Sequence, residues 1–184
     1  MTTLRGNLEI IARYIETNAH PQYSTRKCDM MLSKKRNNMT SLTKEGRLTF
    51  IGKVKSVERE ITSIDVFPEF CEGLRNIKEY SHLIILYWAH RRDTEEERHT
   101  LLVYPKRHEH KVETGVFSCR SPSRPNPVCL CVVELSKAER CSLRVKGLDA
   151  EPGSPIIDIK PYLPQSDSVP KARVPAWVMK DPKK

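Results

Sequence analysis

The stretch RCSLRVKG, residues 140–147, decides the fold. Cys141, Leu143 and Val145 alternate with Ser142, Arg144 and Lys146. A period of two with one apolar and one polar face predicts a half-buried β-strand, and Gly147 marks its end. Working outward, residues 128–135 and 155–159 carry the same strand signature on either side. Further upstream, HLIILYWAH (residues 82–90) is a β-branched and aromatic run short enough for a buried strand. Residues 100–104, stopped by Pro105, and residues 116–119 are also expected to be strands. Leu48, Phe50, Gly52 and Val54 alternate through another, with a hairpin partner around residues 61–67. Residues 68–78 predict a turn and a short helix, and residues 91–98 a solvated charged connection. Many short strands and few helices favour a mainly β chain: a single β-barrel of about seven strands with one or two short helices.

The chain has 184 residues and a mass of 21.3 kDa, enough for one domain with a core plus tails. Its 38% hydrophobic and 30% charged residues lie outside the disordered range. The longest apolar run, residues 83–89, is far shorter than the roughly 20 residues of a spanning helix, so no membrane partner is expected. No apolar leader is visible, which points to a cytoplasmic protein whose six cysteines stay reduced. None of them forms a C-x-x-C pair, so no metal site is expected.

The net charge of +9 is unevenly placed. Residues 1–46 carry eight Lys/Arg against four Asp/Glu, and residues 169–184 carry five against one. The body between them is nearly neutral. We therefore divide the chain into a basic N-terminal extension (1–46), a barrel domain (47–168) and a basic C-terminal tail (169–184). The extension holds a short helix after Asn7 and then a linker. Basic ends on a neutral body suit a polyanionic partner, since Lys and Arg contacts to phosphates give affinity independent of sequence.

Chemistry concentrates in two stretches. In GVFSCRSPSRPNPVCLCVVEL, residues 115–135, Pro122, Pro125 and Pro127 stiffen a loop carrying Arg120, Arg124 and Asn126. Such a loop holds guanidinium and amide groups at low entropic cost, which suits an anion or a nucleobase edge. In KGLDAEPGSPIIDIKPYLP, residues 146–164, Gly147 permits positive φ, Asp149 follows two residues later, and Asp158 and Lys160 share a strand face. There is no G-x-G-x-x-G, P-loop, H-E-x-x-H or G-x-S-x-G. These residues by themselves name no reaction.

The strings R-S-P-x-R-P-N-P (residues 120–127), CVVEL and D-I-K-P-Y (residues 158–162), with SHLIILYWAH before them, resemble the signature segments of the TrmO (TsaA-like, YaeB) family, in its short archaeal-type form. The resemblance covers residues 48–167. It implies a homodimeric, S-adenosyl-L-methionine-dependent methyltransferase that acts on N6 of the threonylcarbamoyladenosine beside the tRNA anticodon. Its cofactor pocket falls here on His90, Arg91, Arg120, Leu130, Lys146, Gly147, Leu148 and Asp149. Arg120 would clamp the methionyl carboxylate and Leu130 would line the adenine slot. Asn126, Asp158 and His90 are the candidates for the base or acceptor at N6. Alternatives are a methyltransferase acting on a small molecule or a protein, and a non-catalytic barrel binding a nucleotide or RNA. Fuller bacterial members add a longer loop between the first strands and a C-terminal domain with a D-P-R-P-type motif, where this chain has only Asp181-Pro182-Lys183.

Overall fold

A computed structural model describes residues 46–105 and 112–178. The expected helix after Asn7 and the linker behind it lie outside the described residues. By internal contacts the chain parts after Gly46, and the barrel belongs wholly to the second unit.

Eight strands are present among the described residues: β1 Gly52–Glu58, β2 Ile61–Val66, β3 His82–Trp88, β4 Leu102–Val103, β5 Thr114–Gly115, β6 Val128–Glu139, β7 Ser142–Lys146 and β8 Pro155–Pro161. Six close into a barrel in the order β1-β2-β7-β6-β3-β8, and β4 and β5 form a separate two-stranded sheet. The mainly β barrel is as expected, with six wall strands rather than about seven. All barrel pairings are antiparallel, which suits strands with one dry and one wet face. The 12-residue β6 pairs with β3 through residues 128–134 and with β7 from Glu134 onward. The join between β1 and β8 is short, with only Gly52↔Ile156 and Lys53↔Pro155 in register.

Alternation sorts the side chains. Leu143 and Val145 of β7 point inward with Val54, Ile64, Leu83, Ile85, Tyr87, Val133 and Ile156, all buried in one core. Burying each large aliphatic side chain contributes roughly 1.5–3 kcal/mol. Gly52 is required where β1 crosses β2, because a Cβ there would strike the Asp65 carbonyl oxygen and stand 3.0 Å from the Val66 Cα.

Several local expectations need correction. The first strand starts at Gly52 rather than Leu48; Leu48 and Phe50 are exposed, and Phe50 packs edge-on against Trp88, ring centroids 6.0 Å apart. The helix expected over residues 68–78 is two 3-10 turns, Pro68–Leu74 and Ile77–Glu79. Residues 116–118 form a 3-10 turn instead of a strand, because the Arg124 side chain captures carbonyls of this segment. The cysteines are not all free thiols, since Cys71 and Cys141 are joined in a disulfide across 70 positions of sequence. No described helix is long and apolar enough to cross a membrane.

Candidate active site

One end of the barrel gathers most of the residues singled out from sequence. There β3 leaves the wall at Trp88 and β6 enters it at Val128, the two being paired. The backbone N–H of Ala89 donates to the Pro127 carbonyl at 2.9 Å. This bond sets His90 and Arg91, just beyond β3, beside the end of the proline loop and Asn126.

The segment 147–154, which follows β7, is fastened to this end at several points. Gly147 turns the chain with φ of +84°, a left-handed conformation that favours glycine. Its carbonyl accepts from the Cys131 thiol at 3.0 Å. The Tyr87 hydroxyl donates to the Asp149 carbonyl. Arg91 pairs with Glu151 at 2.7 Å, and His90 Nδ1 lies 3.2 Å from the hydroxyl of the buried Ser154. Gly153 N–H donates to the Val54 carbonyl, while Val54 N–H donates to that of Ser154, both at 2.9 Å. Leu148 turns into the core. The segment is thus held against β1, β3 and β6, with the Asp149 side chain facing outward. Tyr87 titrates well above the usual tyrosine range, because burial and then the neighbouring Cys129 and Asp149 disfavour a phenolate. It is a proton donor throughout the physiological range.

Tyr87, Cys131 and Ser154 were not singled out in the sequence. The available signal was positional: Tyr87 and Cys131 fall on the inward register of their strands, Tyr87 next to the end of β3.

The proline loop is organised by Arg124. Its guanidinium donates to the carbonyls of Ser121 at 2.7 Å, Cys119 at 2.6 Å and Val116. Three carbonyls drawn to one side chain curl residues 116–121 away from strand geometry. Arg124 is therefore a clamp within the loop rather than a group offered to a ligand. Arg120, by contrast, is exposed on that loop. The charged connection 91–98 is also more than a solvated turn. Thr94 caps the single-turn helix Glu95–Arg98 by accepting from the Glu97 N–H at 3.2 Å. Arg98 bonds Asp93 at 2.5 Å, stacks over Trp88 at 5.4 Å and donates to the Pro125 carbonyl at 3.0 Å. Bonds from Arg98 and from the Trp88 indole hold the Asp93 carboxyl below its usual range. Glu97 is likewise lowered, first by the Ser123 hydroxyl and then by Arg92. The acidic and basic residues of this connection brace the proline loop from outside.

Other predicted site residues lie apart from this end. Leu130 is on the outer face of β6, 47% exposed and opposite Leu86, whereas Cys129 and Cys131 alternate inward. Asp158 is opposite Leu86 on β8, paired with Lys160 at 2.7 Å and accepting from the Ile159 N–H at 2.9 Å. Lys146 ends β7 bonded to Glu134 at 3.3 Å. Among the described residues no three His, Cys, Asp or Glu side chains gather as a metal would require. A shallow hollow of about 200 Å³ lies elsewhere, over the outer faces of β1, β2, β7 and the far half of β6.

Comparison with known proteins gives a consistent picture. A family model described as the tRNA-methyltransferase O N-terminal domain matches residues 52–168. An S-adenosyl-L-methionine-binding protein of Archaeoglobus fulgidus is 46% identical over 109 residues, covering 59% of this chain and 74% of that protein. The tRNA (adenine(37)-N6)-methyltransferase of Escherichia coli is 36% identical over 125 residues, covering 66% and 52%. The crystal structure of TrmO from Pseudomonas aeruginosa superposes with a TM-score of 0.59 at 25% identity, covering 78% of this chain and 66% of the other. Of two further relatives, from Archaeoglobus fulgidus and Pyrococcus abyssi, the chain spans only 30% and 61% of the length.

Proposed function

The chain belongs to the tRNA-methyltransferase O N-terminal domain family, and from that premise we propose that it methylates an adenine of tRNA with S-adenosyl-L-methionine, at N6 of the threonylcarbamoyladenosine beside the anticodon. The match over residues 52–168 carries this reading. The segment 147–154, fastened beside His90 and the proline loop, supports it.

Bound there, S-adenosyl-L-methionine supplies a methyl group on a sulfonium, transferred by in-line displacement. The chain's own residues bind and align, which is where most of the rate must come from. Arg120 receives the methionyl carboxylate. Gly147 would let backbone approach closely, Leu148 would close the site toward the core, and Asp149 and Arg91 would meet polar groups of the nucleoside, whereas Lys146 and Leu130 lie apart from this end and are the less favoured of the expected contacts. The adenine N6 loses a proton as it gains the methyl group. His90 and Asn126, both at this end of the barrel, are the groups to accept or orient that proton. Asp158, facing outward beside Lys160, is the less favoured candidate.

We also propose a cytoplasmic homodimer. Exposed apolar residues support a second copy: Leu130 and Val132 on β6, and Leu101, Leu102 and Phe117 around the β4–β5 sheet. The basic segments 1–46 and 169–184, which precede and follow the barrel domain in the sequence, would serve as RNA contacts.

Calorimetry with the cofactor and mass analysis of incubated tRNA test the reading. Replacing Arg120 with Ala should weaken cofactor binding about 10- to 100-fold, the range of one charge-assisted bond. An unchanged dissociation constant in a folded protein rejects the clamp. Cofactor binding without methyl gain on any tRNA favours a non-catalytic binder, a reading supported by relatives named only for binding S-adenosyl-L-methionine.

A further inference from the structure

The hollow on the outer wall has features that cofactor binding and methyl transfer leave unused. Register places Ser56 of β1 opposite Ser63 of β2, Ser63 opposite Arg144 of β7, and Arg144 opposite Lys137 of β6. These four residues form one transverse row across four strands. At about 4.8 Å per strand the row is roughly 14 Å long. Lys55 and Ser142 adjoin it, and all six line the same hollow of about 200 Å³.

Both ends of the row coincide with an irregularity of the ladder. The β1–β2 register shifts between Val54 and Ser56, and the β6–β7 register between Leu135 and Lys137. Such bulges bend a strand and re-aim side chains, and here they hollow an otherwise convex wall.

The donors of the row are largely unspent. Ser56, Ser63 and Ser142 are half-buried, and their hydroxyls make no hydrogen bond with another described residue. Arg144 makes no ion pair among the described residues, whereas Lys55 is paired with Asp65 and Lys137 with Glu139. The hollow also holds Glu58 and Glu139. Glu139 is paired with Lys137 at 2.5 Å and held below the usual carboxylate range by that bond first, with the nearby Arg144 charge a lesser contributor. Hydroxyls and a guanidinium in a shallow polar groove are the donor set that phosphate oxygens take.

The groove also points toward the candidate active site. β7 carries Arg144 and runs on into Gly147 and Asp149, five residues later and at most roughly 17 Å away along extended chain. We propose that this groove binds the phosphodiester backbone of the RNA substrate, with Arg144 as its central contact, so that the strand lies along the β7 side of the barrel while its target base reaches the 147–154 segment. The inference rests on the tRNA reading and adds where the RNA lies.

The test compares the full chain with Arg144→Gln and, separately, Ser63→Ala. Each is assayed for tRNA binding across a salt series, cofactor affinity by calorimetry, and methyl transfer. Arg144→Gln should weaken tRNA binding about fivefold to tenfold, with the slope of log K against log salt shallower by about 0.7 to 0.9. Ser63→Ala should weaken it by a smaller factor without changing the slope. Cofactor affinity should be unchanged in both. If the wild type methylates tRNA and Arg144→Gln binds it with the same affinity and slope, the groove assignment is overturned and the activity stands. If the wild type binds the cofactor but no tRNA at any salt, the substrate reading falls and the groove with it.

Discussion

Arg124→Met keeps most of the aliphatic stem of Arg124 and removes all of its donors. Three carbonyls, of Val116, Cys119 and Ser121, lose their shared partner. A hydrogen bond from a charged donor contributes about 1.5–3 kcal/mol when solvent cannot replace it. The arginine is half-buried and water can reach part of the loop. The three bonds therefore sum well below their separate maxima, to about 3 kcal/mol. With a urea dependence of about 2 kcal/mol/M for a domain of this size, the unfolding midpoint should fall by about 1.5 M. Cofactor affinity should also fall, because Arg120 and Asn126 ride on the released loop. Equilibrium urea unfolding followed by Trp fluorescence reads the first effect and calorimetry the second. A midpoint within about 0.3 M of wild type, combined with loss of tRNA methylation, would refute the clamp and return Arg124 to the ligand-recognition role its sequence setting suggests.

Two further outcomes are expected. Asp93 titrates below the ordinary aspartate value of 3.8, because the Arg98 and Trp88 donors favour its carboxylate. Its contribution to folding is accordingly complete above that value and disappears as pH falls through the depressed one. Carbon-detected titration of the carboxyl, with the Trp88 indole N–H as reporter, checks this, and a midpoint at or above the ordinary value contradicts it. Reduction of the Cys71–Cys141 bridge frees a loop with a sequence separation of 70. Chain entropy assigns such a loop about 4 kcal/mol, so the melting temperature should drop by roughly 10–15 °C on reduction. Identical melts with and without reductant, both thiols being labelled after reduction, would dispose of the bridge.

How much of the fold and site was legible in the sequence depended on whether the signal was local. RCSLRVKG alternates because its strand has one face inside, HLIILYW was legible as a short continuous apolar run, and the structure places Leu143 and Val145 of the first with Leu83, Ile85 and Tyr87 of the second in one core. The two signature stretches were legible as strings, and Gly147 as a residue needing positive φ. Non-local physics was hidden. Nothing in S-R-P-N-P says that Arg124 turns back onto the carbonyls of Val116 and Cys119, since that depends on a closed loop. A charged run such as residues 91–98 looks solvated until Arg98 is seen to reach Pro125. Alternation reports a face but not which face serves a ligand, so Leu130 and Asp158 could be identified as strand residues without showing that both point outward. The pairing of Cys71 with Cys141 needed the barrel itself to bring them together.

A closed sheet is a hoop, and its clasp is the two-pair join of β1 to β8. That clasp is flanked by Gly153 and Ser154, which bond Val54 directly and in turn neighbour His90. A molecule gripped at that rim would lean on the clasp itself. Occupancy would then register as resistance of the entire hoop to opening, and not only as the quieting of a single loop.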